Sequence, residues 1–426
     1  MHLIRGLKAA RKESGQALIF FALWLPIILI FVGFAVDFGF GFLTKLRLAK
    51  ACDAAALKVM YNLGQGQTSA IAIGQSVFAS NINANSSLPY SIAPTANFNI
   101  VTTGSQPVVT VTAAATIRTF FIRIAGPSFE TLSVSDTSQA TRPPVLLSLV
   151  LDRSGSMTKN GGSTALPPAV LEFLVPFIPG TDQLGIVSFS TDANADVPIT
   201  TQFVTPITSF ANGMTFQGGT DAYDGLNDAQ TMVTGVANPP TNTEKVVVFF
   251  TDGWANMVTG PLNGTKVKFG GCAPAEFPLG WCNGLFYWNN TTSTAFAPNP
   301  DGSVTINSVT EQVTLNGANT FTPTDTGPPD NLPNPAKLTS TNVAEEADYE
   351  TVQLANSLRA NGYTVYSIGM GSEINQTYLQ QIANDPASPT YSSSSPSGIA
   401  VFAPTADDLQ AAFTEIADKI LQRITH

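Results

Sequence analysis

The segment VLLSLVLDRSGSM, residues 145–157, joins an apolar run to a polar loop. The run VLLSLVL is almost uninterrupted, which is typical of a strand buried on both faces of a parallel sheet. It ends at Asp152, and Ser154 and Ser156 follow at alternate positions. In an open α/β sheet, ligands bind outside the carboxyl ends of the strands. The segment therefore predicts a buried strand that presents one carboxylate and two hydroxyls at the edge of a sheet.

The chain after Pro143 alternates between strand and helix patterns. Further apolar runs predict strands at 183–190, 244–253 and 363–371. Helices are predicted at 166–178, at 220–233, from Asn342 to Leu358 with a capping box, and from Thr405 onward. The last of these has four apolar residues on one face, Leu409, Phe413, Ile416 and Ile420. This alternation predicts a doubly wound, mostly parallel α/β sheet of the Rossmann-like kind.

Two further stretches place oxygen ligands at the same edge of the predicted sheet. Asp252 closes the apolar run VVVFFTDG, and Thr220 follows two glycines in FQGGTDAYDGL, where a loop enters a helix. Carboxylates and hydroxyls without sulfur or imidazole suit a hard divalent cation, Mg²⁺ or Mn²⁺. Because Mg²⁺ usually keeps several waters, such a site leaves a position open for an acidic side chain from a protein partner.

The three pieces DRSGSM, GGT and FFTDG resemble, in this order, the metal-binding loops of von Willebrand factor type A domains. The resemblance implies a metal-ion-dependent adhesion site in which Ser154, Ser156 and Thr220 are direct ligands. Asp152 and Asp252 would bind directly or through water. The alternative is a type A fold that keeps a non-binding relic of the site. Asp221 and Asp224 are either further ligands or, as we favour, charges that stabilise the first turn of a helix.

The N-terminal region contains ALIFFALWLPIILIFVGFAV, from Ala17 to Val36, which is long and apolar enough to span a bilayer. We interpret it as an uncleaved transmembrane helix, with a cleaved signal peptide as the alternative. Upstream basic residues favour a cytoplasmic N-terminus: Arg5, Lys8, Arg11 and Lys12. Asp37 is interpreted as lying at the outer membrane interface rather than as an intramembrane functional carboxylate.

The segments ESGQALIFFALWLPIILIFVGFAVDFG and LRLAKACDAAAL resemble the N-terminal segment of TadE/TadG-like proteins of the bacterial Tad (Flp-type) pilus apparatus. Pilin-like members carry a glutamate five residues after a glycine cleavage point, but counting from Gly15 this position is Phe20. The resemblance thus implies an anchored, TadG-like protein in the bacterial cytoplasmic (inner) membrane. Its bulk would be periplasmic or extracellular, and other pilus components would be possible partners.

We divide the 426 residues into three parts. Residues 1–61 hold the cytoplasmic tip, the transmembrane helix and its extension, and 62–141 form a linker and a small β-rich module. Residues 142–426 form the α/β domain, with an insertion at about 254–340 that should have some fold of its own. Cys272 and Cys282 in this insertion either form a disulfide or remain unpaired thiols. Its three tryptophans either contact a partner or form a small core: Trp254, Trp281 and Trp288.

Composition excludes several classes of function. The two histidines lie at the chain ends, His2 and His426, which disfavours histidine-dependent nucleophiles, general bases and zinc sites. The net charge of −10 argues against a nucleic-acid partner. We therefore expect a non-enzymatic, membrane-anchored adhesion or assembly protein that binds a protein partner through a metal. A surface adhesin unrelated to pili, a structural spacer and, least favoured, a Mg²⁺-dependent hydrolase are the alternatives.

Overall fold

The computed structural model describes residues 14–83, 90–103, 106–262, 265–272, 284–288, 293–297, 299, 303–306, 308–312, 340–372 and 374–425. The chain forms two compact units. The first comprises Met1–Asn62, Gly66–Thr102 and Pro107–Thr141. The second comprises Leu63–Gln65, Thr103–Gln106 and Arg142–His426.

The first unit contains two helices and a three-stranded sheet, namely α1 (Ser14–Tyr61), α2 (Gln67–Asn83), β1 (Tyr90–Thr103), β2 (Gln106–Arg118) and β3 (Thr131–Thr141). The strand order is β1-β2-β3, and β2 pairs with β3 in antiparallel fashion. Alternate side chains of β2 are buried, from Val109 to Ile117, as the period-2 pattern of the sequence predicts.

Helix α1 changes character along its length. Side chains from Leu18 to Val32 are exposed, and from the next residue onward a buried face begins that follows helical spacing: Gly33, Asp37, Gly41, Thr44 and Leu48. Within the described part of the chain, this helix alone is long and apolar enough to cross a membrane. The span predicted from Ala17 to Val36 thus lies in a longer, continuous helix.

The second unit contains the remaining helices and strands. In chain order these are β4 (Val145–Asp152), α3 (Gly162–Leu174), β5 (Gln183–Phe189), β6 (Ala193–Thr200), α4 (Val204–Asn212), α5 (Ala222–Thr234), β7 (Glu244–Thr251), β8 (Met257–Leu262), β9 (Thr265–Cys272), β10 (Gly284–Trp288), β11 (Ser293–Phe296), β12 (Ser303–Ile306), β13 (Val309–Gln312), α6 (Ser340–Ala360), β14 (Thr364–Met370), α7 (Gln376–Ala383), β15 (Ala400–Ala403) and α8 (Leu409–Thr425). A short 3₁₀ turn with a capping box between Thr405 and Asp408 precedes α8.

The main sheet of this unit has six strands in the order β15-β14-β7-β4-β5-β6. All pairings between its strands are parallel except that of β6 with β5, which is antiparallel. All eight residues of β4, the strand that opens the sequence motif, are buried. The order reverses direction around β4, since β5 lies on one side and β7 on the other. The expected doubly wound, mostly parallel fold is confirmed.

The insertion predicted at 254–340 forms a four-stranded antiparallel sheet, β11-β10-β9-β8, and the hairpin of β12 and β13. Phe269, Leu285 and Tyr287 join the same hydrophobic core as residues of α5 and α6. The described strands of the insertion therefore pack onto the domain through a shared core. Cys282 and Trp281 lie outside the described residues, so the predicted disulfide stays a prediction.

Candidate metal centre

The main sheet brings the two sequence-predicted aspartates to one edge. Strands β4 and β7 are adjacent and parallel, with Leu151 opposite Phe250 in the register. Asp152 follows the first of these residues directly and Asp252 follows the second by two positions. Their carboxylates are therefore delivered to the same carboxyl edge, at the point where the strand order reverses.

The carboxylate of Asp152 is fully buried and held by two local donors. Its Oδ1 accepts the backbone N–H of Ser154 at 2.7 Å, and its Oδ2 accepts the hydroxyl of Thr251 at 2.6 Å. The first bond closes a turn between the aspartate and the serine two residues later, a role for which Asx side chains are suited. The orientation of this carboxylate is thus fixed by its own loop and by the neighbouring strand.

A chain of hydroxyls connects this loop to Asp252. The Oγ atoms of Ser154 and Ser156 are 2.8 Å apart, and Ser156 Oγ donates to Asp252 Oδ1 at 2.7 Å. Because the single hydroxyl hydrogen of Ser156 goes to Asp252, Ser154 must be the donor in the first of these bonds. Asn160 Nδ2 also donates to Asp252 Oδ2, at 3.3 Å. Four of the five predicted ligands therefore lie in one continuous network.

Thr220, the fifth predicted ligand, lies in a loop that is bound to the same turn through backbone atoms. Gly155 N–H donates to the carbonyl of Gly218 at 3.1 Å, and Gln217 N–H donates to that of Arg153 at 2.9 Å. Thr220 itself is buried. The structure therefore places this loop directly against the loop that carries Ser154 and Ser156.

Two residues hold Thr220 and the loop before it, residues 217–220, which we call the threonine loop. Asn256 brackets Thr220, because its Oδ1 accepts the Thr220 N–H at 2.9 Å and its own N–H donates to the Thr220 carbonyl at 3.0 Å. Gly218 has a φ of +89°, and a Cβ at this position would lie 2.6 Å from Thr191 Oγ1. Glycine is therefore required there by both conformation and space.

The electrostatics of the two aspartates favour a cation. Burial raises the pKa of the Asp152 carboxyl. Burial also raises the pKa of Asp252, and the charge of Asp152 adds to this rise. The groups that donate hydrogen bonds to them are hydroxyls, an amide and a backbone N–H. A divalent cation would compensate two carboxylates that are buried close together, and the oxygen-only donor set fits a hard ion.

The site differs from metal centres built from clustered acidic, histidine or cysteine side chains. No group of three or more such side chains is placed to hold a metal among the residues the structure describes. Two carboxylates and three hydroxyls would have to supply the protein ligands here. Metal binding by these five residues stays a prediction of the sequence, and the observed geometry is compatible with it.

The threonine loop is also held by Lys268 from strand β9 of the insertion, a contact that the sequence does not indicate. Its Nζ lies 3.0 Å from Asp221 Oδ2, 2.6 Å from Asp224 Oδ2, 3.1 Å from Asp192 Oδ1 and 2.7 Å from the Thr191 carbonyl oxygen. Burial alone would lower the pKa of Lys268, but the charges of Asp221 and Asp224 outweigh it and raise this pKa. The insertion therefore contributes a cation beside the candidate metal site.

Asp221 and Asp224 have the helix-stabilising position that the sequence favours. Asp221 is the N-cap of α5, and its Oδ1 accepts the backbone N–H of Asp224 at 3.1 Å. Negative charge at this end of a helix is favourable because of the exposed N–H groups. Their ion pairs with Lys268 are the additional role that the structure reveals.

We expect Lys268→Met to lower the free energy of unfolding by about 2–4 kcal/mol, because it leaves the buried Asp221 carboxylate without its cation. Amide hydrogen exchange of residues 218–221 should accelerate in the variant, since their loop loses its anchor. The matched control is Lys419→Met, which removes the same charge from an exposed position on α8 and should change neither quantity. Equal behaviour of the two variants in urea unfolding and hydrogen exchange would contradict the assigned role of Lys268.

Two parts of the chain match known protein families. Residues 147–254, which hold the site's loops from Asp152 to Asp252, match the von Willebrand factor type A domain. The fold and this match together define a von Willebrand factor type A domain. Residues 15–60 match the family described as putative Flp pilus-assembly TadE/G-like, so the chain combines this domain with a Tad-like N-terminal segment. No curated protein matches the sequence.

Similar solved structures include the von Willebrand factor domain of the type V pili tip protein Mfa5 from Porphyromonas gingivalis, with 16% identity and a TM-score of 0.42. The match covers 67% of this chain and 98% of that one. The pilus adhesin SpaC from Lactobacillus rhamnosus GG has 15% identity and a TM-score of 0.41, with coverage of 78% and 35% respectively. Proximal thread matrix protein 1 from the mussel byssus, with a zinc-occupied MIDAS motif, has 15% identity, a TM-score of 0.35 and coverage of 66% and 46%.

Proposed function

We propose that this chain is a membrane-anchored, extracytoplasmic adhesion or assembly protein of Tad/Flp pilus biogenesis that binds a protein partner through a divalent cation. The type A domain and the Tad-like segment together support a pilus-associated role in adhesion or assembly. The observation that carries the metal-dependent part is the hydrogen-bonded chain from Asp152 through Ser154 and Ser156 to Asp252.

The proposed cation is Mg²⁺ or Mn²⁺, held by Ser154, Ser156 and Thr220 directly and by Asp152 and Asp252 directly or through water. When bound, it supplies positive charge and an open coordination position for an oxygen ligand from outside. The matching ligand on a partner is an acidic side chain, since it adds negative charge that the serine and threonine hydroxyls lack. Zinc belongs in any binding test as a contrasting ion, because it prefers nitrogen and sulfur donors, which these five residues do not offer.

The proposed location is the bacterial cytoplasmic membrane, with a single pass, the N-terminus in the cytoplasm and the bulk in the periplasm or outside. Support comes from the Tad-like segment and from the exposed apolar surface of α1 between Leu18 and Val32. The candidate metal site with Asp152 belongs to the second compact unit, whereas helix α1 belongs to the first.

We propose binding rather than catalysis as the activity of the site. Both carboxylates at the sheet edge accept hydrogen bonds from local donors, which orient them towards the proposed cation. A general acid or base would need a carboxyl directed at a substrate atom. The acidic chain is likewise proposed to have no nucleic-acid partner, since its net charge is −10.

The proposal is tested in bacteria that depend on this chain for pili, by replacing it with the Ser154→Ala/Ser156→Ala variant. We expect loss of Flp pili and of surface attachment, because two neutral ligands are removed while both buried aspartates remain. Co-purification of pilus components should depend on Mg²⁺ and disappear with chelator. Glu172→Gln, an exposed change on α3, is the control. Normal piliation with normal co-purification in the serine variant would contradict the proposal.

A further inference from the structure

The connection between β2 and β3 exposes large apolar side chains. Phe120, Phe121, Ile124 and Phe129 are between 45% and 86% exposed, although this connection is only a dozen residues long. We call residues Phe120–Phe129 the aromatic loop. Soluble surfaces expose such side chains singly, whereas a contiguous group marks a contact with another apolar phase or molecule.

The aromatic loop packs against α1 at the end of its apolar segment. A Cβ added to Gly33 would lie 2.5 Å from Phe121 Cβ, and the rings of Phe40 and Phe120 are 5.5 Å apart. Gly33 precedes Val36, the last residue of the predicted span, by three positions, which corresponds to about 4.5 Å along the helix. The loop therefore lies level with the outer end of the membrane-spanning stretch.

Asp37 satisfies the backbone of this loop. Its Oδ1 accepts the N–H of Phe120 at 2.7 Å, and its Oδ2 accepts those of Phe121 and Ile122 at 2.9 and 2.8 Å. Backbone donors that approach a bilayer's apolar region must be paired within the protein. A carboxylate that accepts three consecutive N–H groups can satisfy the backbone of an irregular loop at the edge of the bilayer. The sequence alone does not predict these hydrogen bonds.

Helix α1 exposes further large apolar side chains of its own. Phe34, Phe38 and Phe42 are exposed at a spacing of four residues, and the first two have stacked rings. Arg123 in the aromatic loop is also exposed. Apolar side chains such as Phe and Leu together with basic residues favour the membrane–water interface, where the positive charge can meet anionic headgroups.

We propose that the aromatic loop is a second membrane contact, which inserts its apolar side chains into the interfacial region of the bilayer at the outer end of α1. The loop and the helix belong to the same compact unit, so this contact would fix the first unit against the membrane surface. The inference rests on the proposed membrane anchoring by α1. Its occupant is the lipid bilayer, and its chemistry is apolar insertion with Arg123 at the headgroups.

The test places the photo-crosslinking residue p-benzoylphenylalanine at single positions of the full chain, reconstituted into vesicles of phosphatidylethanolamine and phosphatidylglycerol. Ile124 probes the loop, since its side chain is 86% exposed and its replacement disturbs no core. Val101 is the matched control, because it is an exposed apolar residue of β1 near the opposite end of the sheet. Leu29, exposed in the middle of the predicted span, reports on the anchoring itself.

Mass spectrometry after illumination should find lipid adducts at Leu29 and Ile124 and none at Val101. Adducts at Leu29 alone would overturn the loop contact and leave the anchor intact. No adduct at Leu29 would overturn the anchoring and, with it, this inference. Equal adducts at Ile124 and Val101 would show unspecific labelling. A crosslink between two copies of the chain at Ile124 would assign the aromatic loop to self-association. Either result also overturns the inference.

Discussion

Replacing Asp152 with asparagine is expected to lower the affinity of the chain for Mg²⁺ and Mn²⁺ by roughly 100-fold or more. Loss of a residue that only hydrogen-bonds a metal ligand lowers metal affinity by about 10- to 100-fold, and loss of a buried charge at the metal itself should lower it further. The carboxylate is fully buried at the end of β4 and contributes half of the negative charge that the two aspartates supply. Without it, Asp252 is the one carboxylate left among the five predicted ligands, and the three hydroxyls are neutral ligands with little preference for a cation over water. Calorimetric titration of the full chain in detergent measures this difference.

Asparagine is chosen because it preserves the local structure. Its side-chain oxygen can accept the Ser154 N–H as the aspartate does, and the Thr251 hydroxyl can turn to accept from its amide. Glu415→Gln removes a charge of the same sign from an exposed position of α8 and should leave metal binding unchanged. Wild-type affinity in Asp152→Asn would exclude this aspartate from the metal site, whereas absence of binding to the folded wild type would mean that the loops are a relic.

The pH dependence of the same titration gives a second readout. The pKa values of Asp152 and Asp252 are raised, so each carboxyl holds its proton to a higher pH than an ordinary aspartate. Protons compete with the cation for these oxygens, and the apparent affinity should therefore fall as the pH is lowered. Proton release on metal binding, measured in two buffers of different ionisation enthalpy, should shrink in Asp152→Asn.

Local features of the sequence account for the part of the site that could be predicted. The apolar run of β4 ends at an aspartate, and the serines follow within the same turn, so their proximity needs no knowledge of the tertiary fold. Placing Asp252 beside them requires only that β4 and β7 are neighbouring parallel strands. Continuous apolar runs predict such buried strands because side chains on both faces must avoid water.

Contacts between distant residues could not be predicted. Lys268 reaches Asp221 over 47 positions, and Asp37 reaches the aromatic loop over 83 to 85. A single sequence has no local signal for such pairs, because any lysine or aspartate on a polar segment has the same pattern. Strand β6 escapes detection for another reason, since at its edge position only one of its eight residues is buried and the apolar run is missing.

Asp182→Ala is expected to have the largest effect on stability, with a loss of about 3–5 kcal/mol in the free energy of unfolding. Asp182 is fully buried before β5, and its two carboxylate oxygens accept from Arg142 at 3.0 and 2.5 Å. They also accept the backbone N–H groups of Val145 at 2.9 Å and Ile178 at 2.6 Å. The substitution strands a buried guanidinium and two buried backbone donors at once, which is why its cost exceeds that of an ordinary hydrogen bond.

Urea unfolding followed by tryptophan fluorescence measures this loss, since three of the four tryptophans lie in the second unit. Asp385→Ala is the matched control, because Asp385 also accepts two backbone N–H groups, from Ala387 and Ala400, both at 2.8 Å. Asp385 is only partly buried, so its removal should cost about 1–2 kcal/mol. Equal costs for the two variants would mean that the buried Arg142–Asp182 pair adds nothing beyond the backbone bonds. A larger cost for Asp182→Ala that shrinks when Arg142→Met is added would assign the excess to the stranded arginine charge.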